Sequence, residues 1–283
     1  GGGPAGLSAG VYVGRKMLKA LVVARDLGGQ VLLSSEIENY LGYPSIRGME
    51  LIAKFEEHLR QYDIDISLGE AVQVIEKEKG DFRVTTEGGK SWLAEAAIIA
   101  TGSKPRTFCL PGERELAGKG VSYCATCDGP LFRGRRVAVV GGGNSGLTAV
   151  NDLVQIAERV YLVELLGTLQ ADPVLIERVR GSEKLEIRLH HEIQAISGSE
   201  GGVESLTVKD LGSGESRTVQ LDGVFVEIGT IPNSDFVTGL LEVNRHGEIV
   251  TDSQGKTNVA GIFAAGDVTS APHKQIVIAA GQG

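Results

Sequence analysis

Two thiols three residues apart form the most reactive motif of the chain. The segment Cys124-Ala125-Thr126-Cys127 is followed directly by Asp128. Two cysteines at this spacing on a turn can close a small disulfide and pass two electrons by thiolate attack and resolution. A carboxyl group beside the second thiol can carry the proton that this exchange needs. The motif therefore predicts a redox-active disulfide, with Cys124, Cys127 and Asp128 as its catalytic groups.

A zinc site is the alternative interpretation of such a cysteine pair. A four-cysteine site needs a second pair, and only Cys109 remains among the three cysteines. None of the five histidines has the spacing of a zinc finger. We therefore expect no metal, and we expect Cys109 to be a plain buried or half-buried thiol. So few cysteines favour a reducing compartment, the cytoplasm, over secretion.

A glycine-rich turn, GGGNSG, follows the cysteine pair at residues 141–146. It lies between a buried apolar run at 137–140 and a helical pattern at 147–157, the context in which this fingerprint is specific. In that context Gly141 allows the tight turn and Gly143 lets the backbone approach a pyrophosphate. Gly146 lets helix and sheet pack closely, and the helix N-terminus then faces the anion. A turn without a ligand is the alternative.

An acid at the end of the next predicted strand bears on which dinucleotide would bind. Glu164 follows Gly143 by about 20 residues, where a carboxylate accepts hydrogen bonds from the adenine-side ribose. A 2′-phosphate instead needs arginine nearby and is repelled by a carboxylate. Residues 160–177 contain neither Lys nor Arg. This stretch favours NADH over NADPH; the alternative is that Glu164 is only a solvated charge.

The chain opens on a second glycine turn, GGGPAG, at residues 1–6. A helical segment follows it at 7–16, but no strand precedes it in the sequence. The chain stops at Gly283, where another helix is starting, so we expect both ends to be truncated. Glycines at 28–29 and the pair Gly266-Asp267 strengthen the case for a nucleotide site, because an Asp or a glycine there can bind the ribityl and pyrophosphate groups of a flavin.

The segments between these motifs repeat one scheme twice. A glycine fingerprint leads into a β-α-β pattern and then into an antiparallel insert. The first repeat has predicted strands at 20–24, 72–75, 82–86 and 96–100 and a helix at 48–62. The second has strands at 137–140, 160–164 and 223–228, with an antiparallel insert at 186–188, 195–196, 205–209 and 217–221.

The last predicted strand, 261–265, has no partner inside the second repeat. The sequence therefore predicts an α/β fold of two Rossmann-like (FAD/NAD(P)-binding, three-layer ββα) domains, with the second inserted into the first. We expect an FAD-binding domain at 1–106 and 231–283, and between them an NAD(P)-binding domain at 107–230 that carries the cysteine pair.

Composition excludes several other classes of protein. The chain has 283 residues, which suits two domains, and 42% hydrophobic residues, which supports packed cores. Charge or glycine interrupts every apolar run before it could span a membrane. The formal net charge of −8 argues against a nucleic-acid partner. Forty glycines are about twice the usual share, as expected of a fold with many close backbone approaches.

Seven motifs, taken in order, resemble those of the low-molecular-weight thioredoxin reductase family. The flavoprotein half of alkyl hydroperoxide reductase, a sister within that family, is also similar. The resemblance covers essentially the whole chain. The motifs are Gly1-Gly2-Gly3-Pro4-Ala5-Gly6, Gly28-Gly29-Gln30, Glu38-Asn39-Tyr40, Ala100-Thr101-Gly102, Cys124-Ala125-Thr126-Cys127-Asp128-Gly129, Gly141-Gly142-Gly143-Asn144-Ser145-Gly146 and Ala265-Gly266-Asp267-Val268.

This resemblance implies one FAD in each protomer, a homodimer, and a disulfide that receives electrons from NAD(P)H through the flavin. It implies that Cys127 faces the flavin and that Cys124 attacks a disulfide of a thioredoxin-like or peroxiredoxin-system protein. The implied FAD contacts are Gly1, Gly3, Pro4, Ala5, Gly6, Gly29, Gln30, Asn39, Val72, Thr101, Gly102, Gly266, Asp267, Gln275 and Ile276. The implied NAD(P)H contacts are Gly141, Gly143, Asn144, Ser145, Gly146, Glu164, Ile228 and Gly229.

One departure separates the chain from the NADPH-dependent members of this family. Those members carry a His-Arg-Arg run after the second strand of the nicotinamide domain, whereas this chain has Val163-Glu164-Leu165-Leu166. The hydroperoxide-reductase branch has an acid there and uses NADH, and residues 127–132 and 171–172 are also closer to that branch. The N-terminal thioredoxin-like domains of that branch are not in this sequence.

Three hypotheses about function follow. The leading one is an FAD-dependent, NADH-preferring disulfide reductase of the thioredoxin-reductase type, which works on a thioredoxin-like protein. The second is the flavoprotein component of a peroxiredoxin or alkyl hydroperoxide reductase system. The third is a flavin-binding redox sensor without turnover, which the two fingerprints and the complete cysteine pair disfavour.

Overall fold

The computed structural model describes residues 1–34 and 37–283. Its helices are α1 (Pro4–Arg15), α2 (Gly48–Leu59), α3 (Ala125–Asp128), α4 (Asn144–Ile156), α5 (Pro173–Val179) and α6 (Ile276–Gln282). The strands of the first half are β1 (Leu21–Ala24), β2 (Asp65–Leu68), β3 (Val72–Glu78), β4 (Asp81–Thr86), β5 (Ser91–Ala94), β6 (Ala97–Ile99), β7 (Ser103–Pro105), β8 (Val121–Ser122) and β9 (Arg136–Val140). Those of the second half are β10 (Arg159–Glu164), β11 (Leu185–Leu189), β12 (His191–Ser199), β13 (Gly202–Asp210), β14 (Ser216–Gln220), β15 (Gly223–Val226), β16 (Thr230–Pro232) and β17 (Ile262–Ala264). No helix in these ranges combines the length and the apolar character needed to cross a bilayer.

The chain divides into two compact units, and the second interrupts the first. The first unit comprises residues 1–33, 38–104 and 230–283. The inserted unit comprises residues 34–37 and 105–229. The insertion predicted from the unpartnered last strand is present, because β17 pairs in parallel with β6 of the first unit.

The inserted unit has three layers. Its central layer is a five-stranded parallel sheet in the order β11-β10-β9-β15-β8. The apolar run of β9 is buried on both faces, as expected of a central parallel strand. Val137 and Val139 pack with the buried residues of α4, whereas Ala138 and Val140 pack with those of the antiparallel sheet β12-β13-β14. The alternation along β9 therefore places a helix on one face and a second sheet on the other.

The first unit combines parallel pairs with an antiparallel sheet. Strand β1 pairs with β2, β6 pairs with β17, and β3-β4-β5 form the antiparallel sheet. Phe82 of β4 is buried in a cluster that also contains Ile99, Ile262 and Val268. This cluster joins the antiparallel sheet to the strand pair at which the chain returns from the inserted unit.

One predicted strand belongs to a different sheet from the one expected. Residues 186–188 were predicted to open the second antiparallel insert, but they form β11, which pairs in parallel with β10. A parallel pair needs a crossover connection, and α5 lies in the segment between the two strands. Helix α5 has only seven residues, too few for a clear helical periodicity, and without it the sequence groups this strand with the antiparallel strands that follow.

Candidate active site

Cys124 and Cys127 are joined in a disulfide, with their Cα atoms 5.3 Å apart. They lie on the single helical turn α3, where a simple turn was expected. Cys124 caps this turn: its Sγ accepts a hydrogen bond from the Cys127 amide at 3.2 Å, and its carbonyl accepts one from the Asp128 amide at 3.0 Å. Both cysteines are half-buried, so a reaction partner can reach a disulfide whose backbone is held in place.

Asp128 lies at the end of this turn and is only 9% exposed. Its Oδ2 accepts a hydrogen bond from the Ser122 hydroxyl at 2.6 Å, while its Oδ1 is buried and has no hydrogen-bond partner among the described residues. Burial raises the pKa of Asp128 above its ordinary range, and the Ser122 hydrogen bond opposes that shift only in part. The side chain is therefore suited to hold a proton next to the cysteine pair.

Glu227 is a carboxylate of this site that the sequence analysis missed. It follows β15, and its Oε1 accepts a hydrogen bond from the Ala125 amide at 3.2 Å. Its Oε2 accepts a hydrogen bond from the Ser145 hydroxyl. Burial raises the pKa of Glu227, and these two hydrogen bonds oppose the rise. The available signal was its position directly after a parallel strand, at the edge of the sheet where α/β folds bind ligands.

The glycine turn at 141–146 is shaped by close backbone contacts. A Cβ on Gly146 would lie 1.8 Å from the Gly141 carbonyl oxygen, and one on Gly141 would lie 2.5 Å from the Glu227 carbonyl oxygen. A Cβ on Gly143 would meet nothing within 4 Å. The first and third glycines therefore allow the chain to close on itself, whereas the middle one faces open space at the start of α4. This arrangement fits a pyrophosphate.

The turn at residues 1–6 has the same construction. A Cβ on Gly1 would lie 2.0 Å from the Ala100 carbonyl oxygen, and one on Gly6 would lie 1.9 Å from the Gly1 carbonyl oxygen. A Cβ on Gly3 would meet nothing within 4 Å. Two turns far apart in sequence thus obey one geometric rule, as expected of two dinucleotide-binding folds.

Glu164 is held against the turn at 141–146 by both of its carboxylate oxygens. The Gly142 amide donates to Oε2 at 2.5 Å and the Leu166 amide donates to Oε1 at 2.8 Å. The side chain is 9% exposed, so it is not the freely solvated strand-end charge of the alternative interpretation. Each oxygen retains a lone pair that can accept a ribose hydroxyl.

A second pair of polar contacts fixes the start of α4. Asn144 donates from its Nδ2 to Asp172 Oδ2 at 3.0 Å, and its Oδ1 accepts from the Asp172 amide at 2.7 Å. The Asp172 carboxylate is therefore a second acid near the turn at 141–146, in addition to Glu164. Ile228 also contacts this turn, because its Cγ2 lies 3.3 Å from where a Cβ on Gly141 would stand. Gly229 is exposed with a φ of +92°, and its carbonyl accepts from the Arg106 amide at 2.9 Å.

Most of the residues implied for FAD come together in the first unit. Gln30 donates from its Nε2 to Ser103 Oγ at 3.0 Å and to Asp267 Oδ2 at 3.4 Å. Asn39 donates to Gln275 Oε1 at 3.2 Å, directly before Ile276 begins α6. These contacts connect the segments around residues 30, 39, 103, 267 and 275.

Backbone contacts extend this group to the glycine turn. Pro4 begins α1, and Ala5 packs in a small cluster with Ala100, Ala265 and Ala279. A Cβ on Gly266 would lie 2.9 Å from the Ala5 Cβ, and one on Gly29 would lie 3.9 Å from the Gly3 Cα. Thr101 and Gly102 are fixed by hydrogen bonds to Asn233.

Val72 and Cys109 are two residues singled out in the sequence that are not among the residues of these polar contacts, and the expectation for Cys109 is wrong. Val72 begins β3 and packs against the apolar cluster around Phe82, and its implied contact with FAD stays a prediction. Cys109, expected to be buried or half-buried, is exposed. It adopts a φ of +55° in the loop between β7 and β8, and its Sγ lies 3.4 Å from Thr107 Oγ1. A single cysteine outside any helix or strand gives no sequence signal of burial.

Comparisons with known proteins agree with this geometry. The chain matches the family model described as pyridine nucleotide-disulphide oxidoreductase over residues 1–283. It is 44% identical to a protein of Pseudomonas putida named as a subunit of alkyl hydroperoxide reductase, and 42% identical to a Bacillus subtilis protein named NADH dehydrogenase. Each match covers 100% of this chain but 55% of the relative, so the chain spans about half the length of these curated relatives. Among solved structures, thioredoxin reductase from Streptococcus pyogenes MGAS5005 matches with a TM-score of 0.93 and 35% identity, over 100% of this chain and 92% of that chain.

The glycine contacts predict that substitutions at two nearby glycines affect different properties, stability at one and nucleotide binding at the other. Gly146→Ala should lower the free energy of unfolding by about 1–3 kcal/mol, because the new Cβ forces the Gly141 carbonyl and α4 apart. Gly143→Ala, whose Cβ meets open space, should leave stability within about 0.5 kcal/mol of the parent while weakening nucleotide binding. Urea unfolding followed by circular dichroism measures the change in the free energy of unfolding. Calorimetric titration with NADH measures the change in nucleotide binding. Equal destabilisation by the two substitutions would contradict the assignment.

The buried carboxyl of Asp128 predicts a pH-dependent difference in stability between the parent and Asp128→Asn. The folded-state pKa of Asp128 is raised, so its contribution to stability is largest below the unfolded-state pKa and is lost as pH rises through the folded value. The stability of the parent relative to the variant should therefore fall as pH rises above about 4, the ordinary Asp pKa.

Urea midpoints of the parent and of Asp128→Asn, measured at a series of pH values above about 4, the ordinary Asp pKa, check this trend. Asp152→Asn removes an exposed carboxylate of α4 and is the matched control. A parent that gains stability relative to Asp128→Asn as pH rises would contradict the burial argument.

Proposed function

Because the chain belongs to the pyridine nucleotide-disulphide oxidoreductase family, we propose that it passes electrons from NADH, through FAD, to the Cys124–Cys127 disulfide. From there they would reach a disulfide of a thioredoxin-like protein. The observation that carries this proposal is the placement of a disulfide and a complete dinucleotide fingerprint in one compact unit, with Glu227 bonded to both.

The family assignment confirms the resemblance found in the sequence. The chain is a thioredoxin-reductase-like disulfide oxidoreductase, and membership of the family implies a flavin and a nicotinamide nucleotide. Its fold agrees with that of the similar thioredoxin reductase structure. Preference for NADH, the electron acceptor, a homodimeric state and a cytoplasmic location are proposals that go beyond this assignment.

We assign FAD to the first unit and NADH to the inserted unit. The turn at residues 1–6, with Gly29, Gln30, Asp267 and Gln275, would hold the flavin through its pyrophosphate, ribityl and ring edges. A bound flavin accepts a hydride from NADH and supplies two electrons to a disulfide. The turn at 141–146 and Glu164 would hold the nicotinamide nucleotide at its pyrophosphate and adenine-side ribose.

The cysteine pair and Asp128 account for the remaining chemistry. Reduction of the disulfide by two electrons and one proton leaves one thiol and one thiolate, and the buried Asp128 carboxyl can supply that proton beside the pair. The Cys124 thiolate would then attack the partner's disulfide and form a mixed disulfide. Attack by Cys127 on Cys124 Sγ would release the partner as a dithiol and restore the Cys124–Cys127 disulfide. The roles of the two thiols come from the family resemblance.

The names of the curated relatives favour a second acceptor. The similar proteins from Pseudomonas putida and from Escherichia coli are both named as a subunit of alkyl hydroperoxide reductase. This chain would then be the flavoprotein component of a peroxide-reducing system, and its electrons would pass to a peroxiredoxin-system protein. The chain covers about half the length of those relatives.

Preference for NADH is proposed from the fixed position of Glu164. Two backbone amides hold its carboxylate at the turn, so it cannot swing away from a 2′-phosphate at little cost. Asp172 adds a second negative charge that is bonded to Asn144. Like charges brought together at a binding site cost several kcal/mol, whereas unmodified ribose hydroxyls can donate to the carboxylate.

The first prediction from this assignment concerns the electron donor. Anaerobic titration of the FAD-loaded protein should show flavin reduction by NADH at a concentration at least about tenfold below that needed with NADPH, since a single like-charge contact already supplies that factor. Glu164→Gln should reduce this discrimination, because the repulsion of the 2′-phosphate is lost. Glu158→Gln, an exposed glutamate between α4 and β10, is the control and should keep the discrimination. Equal reduction by the two nucleotides in the parent would contradict the role of Glu164.

The second prediction concerns the cysteine pair. Cys124→Ser and Cys127→Ser should each slow NADH-dependent reduction of a protein disulfide by about a thousandfold or more, since the covalent nucleophile has no substitute. Both should keep flavin reduction by NADH within about threefold of the parent, because that step precedes the disulfide. Cys109→Ser is the control for loss of a thiol.

Thioredoxin and a peroxiredoxin-system protein, tested side by side with the parent, distinguish the two candidate acceptors. Protein-disulfide reduction at the parent rate by either cysteine variant would contradict the proposed function. Bound flavin that neither nucleotide reduces would instead favour the sensor hypothesis.

A further inference from the structure

Glu227 connects two parts of the inserted unit that have separate chemical tasks. One carboxylate oxygen accepts from the Ala125 amide, which belongs to the helical turn between the two cysteines. The other accepts from the Ser145 hydroxyl, which belongs to the first turn of α4 and to the glycine fingerprint. A single side chain therefore touches both the redox disulfide segment and the turn at 141–146.

Ser145 cannot serve Glu227 and a nucleotide phosphate at the same time. A serine hydroxyl has one proton to donate. In the structure that proton goes to Glu227, although Ser145 is exposed at the start of α4, where an incoming phosphate can reach it. A phosphate that takes this hydroxyl leaves the Glu227 carboxylate with the Ala125 amide as its remaining donor among the described contacts.

Loss of the Ser145 hydrogen bond changes what the cysteine pair experiences. Hydrogen bonds disperse the charge of a carboxylate, so losing one leaves more negative charge at Ala125, between the two cysteines. Reduction of the disulfide produces a thiolate in the same segment. Because the site is partly buried, repulsion between the two anions is screened less than it would be at the surface. Asp128, the carboxyl group of α3 itself, accepts its hydrogen bond from Ser122.

We propose that Glu227 is a positioning residue that couples nucleotide binding to the redox state of the cysteine pair. The nicotinamide nucleotide binds more tightly to the disulfide form than to the dithiol form, and Ser145 and Glu227 transmit the difference. The coupling rests on the proposed function, since it requires a dinucleotide at the turn of 141–146. Its consequence is directional: a nucleotide is retained while the disulfide awaits electrons and is released once the dithiol has formed.

The coupling can be measured with a nucleotide that cannot transfer hydride. The probe is 3-aminopyridine adenine dinucleotide, titrated calorimetrically and without oxygen into FAD-loaded protein at a mildly alkaline pH, because the raised pKa of Glu227 makes its carboxylate form less favoured in acid. The dissociation constant is measured for the disulfide form and for the form reduced with dithiothreitol. We expect the disulfide form to bind the probe at least about fivefold more tightly, the lower end of typical allosteric couplings.

Two variants test whether the effect passes through the proposed atoms. Glu227→Gln keeps a similar volume and can accept from the Ala125 amide and donate to Ser145 Oγ, but it has no charge and releases the serine proton for the phosphate. The ratio of the two dissociation constants should fall to within about twofold of one, since no anion then opposes the thiolate. Ser145→Ala removes the other half of the link and should lower the ratio to a similar value. The double variant should show no further loss, because both changes interrupt one path.

A reciprocal measurement provides an independent check. The equilibrium between the cysteine pair and dithiothreitol, followed by counting protein thiols, should shift toward the disulfide when the probe is present. By linkage, this shift must equal the ratio of the two dissociation constants. Glu158→Gln controls for removal of a negative charge elsewhere in the inserted unit and should keep the parent ratio.

The outcomes separate this proposal from the one on which it rests. If the parent binds the probe with equal affinity in both redox states, or if Glu227→Gln keeps the parent ratio, the coupling through Glu227 is wrong, whereas the proposed function stands. If the parent does not bind the probe in either state, the assignment of the nicotinamide site fails and the coupling fails with it. A normal circular dichroism spectrum and flavin content of each variant exclude misfolding as the cause of a lost ratio.

Discussion

Both glycine turns, at residues 1–6 and 141–146, depend on the close approach of a backbone carbonyl to a glycine, which is possible because glycine has no Cβ. At Gly146 the space for a Cβ is occupied by the Gly141 carbonyl oxygen, and at Gly6 by that of Gly1. This approach sets the start of the helix directly after the strand end, with the free amides of its first turn available to an anion. The position of α4 then determines where Ser145 lies, and Ser145 in turn holds Glu227.

The carboxylates of the inserted unit differ because different donors hold them. Two backbone amides fix Glu164, one amide and one hydroxyl hold Glu227, and a single hydroxyl holds Asp128. A carboxylate that accepts from two backbone amides, as Glu164 does, is held in one position at the turn of 141–146. One bonded to a movable hydroxyl responds to whatever competes for that hydroxyl. Asp128 has a buried oxygen that finds no donor in the described part of the chain, and burial raises its pKa, which favours the protonated form.

The sequence identified features whose signal is local. The cysteine pair, both glycine turns and the apolar run of β9 are each visible within a few residues, and together they support the family resemblance that the comparisons confirm. The features that were missed depend on contacts far apart in sequence. Glu227 is a single acid after a strand, and its partner Ala125 lies 102 residues away. Strand β11 was placed in the wrong sheet because its parallel pairing depends on the short helix α5.

One copy of the duplicated fold carries a disulfide beside its glycine turn. Both units have a glycine turn of the same geometry, but only in the inserted unit does a reactive pair stand beside it. The cysteines precede β9, and the short strand β8 brings them to the edge of the sheet next to β15. The end of β15 then places Glu227 between the cysteine segment and the turn. A strand added at the sheet edge therefore sets the disulfide segment and the turn at 141–146 one side chain apart, because Glu227 accepts hydrogen bonds from both.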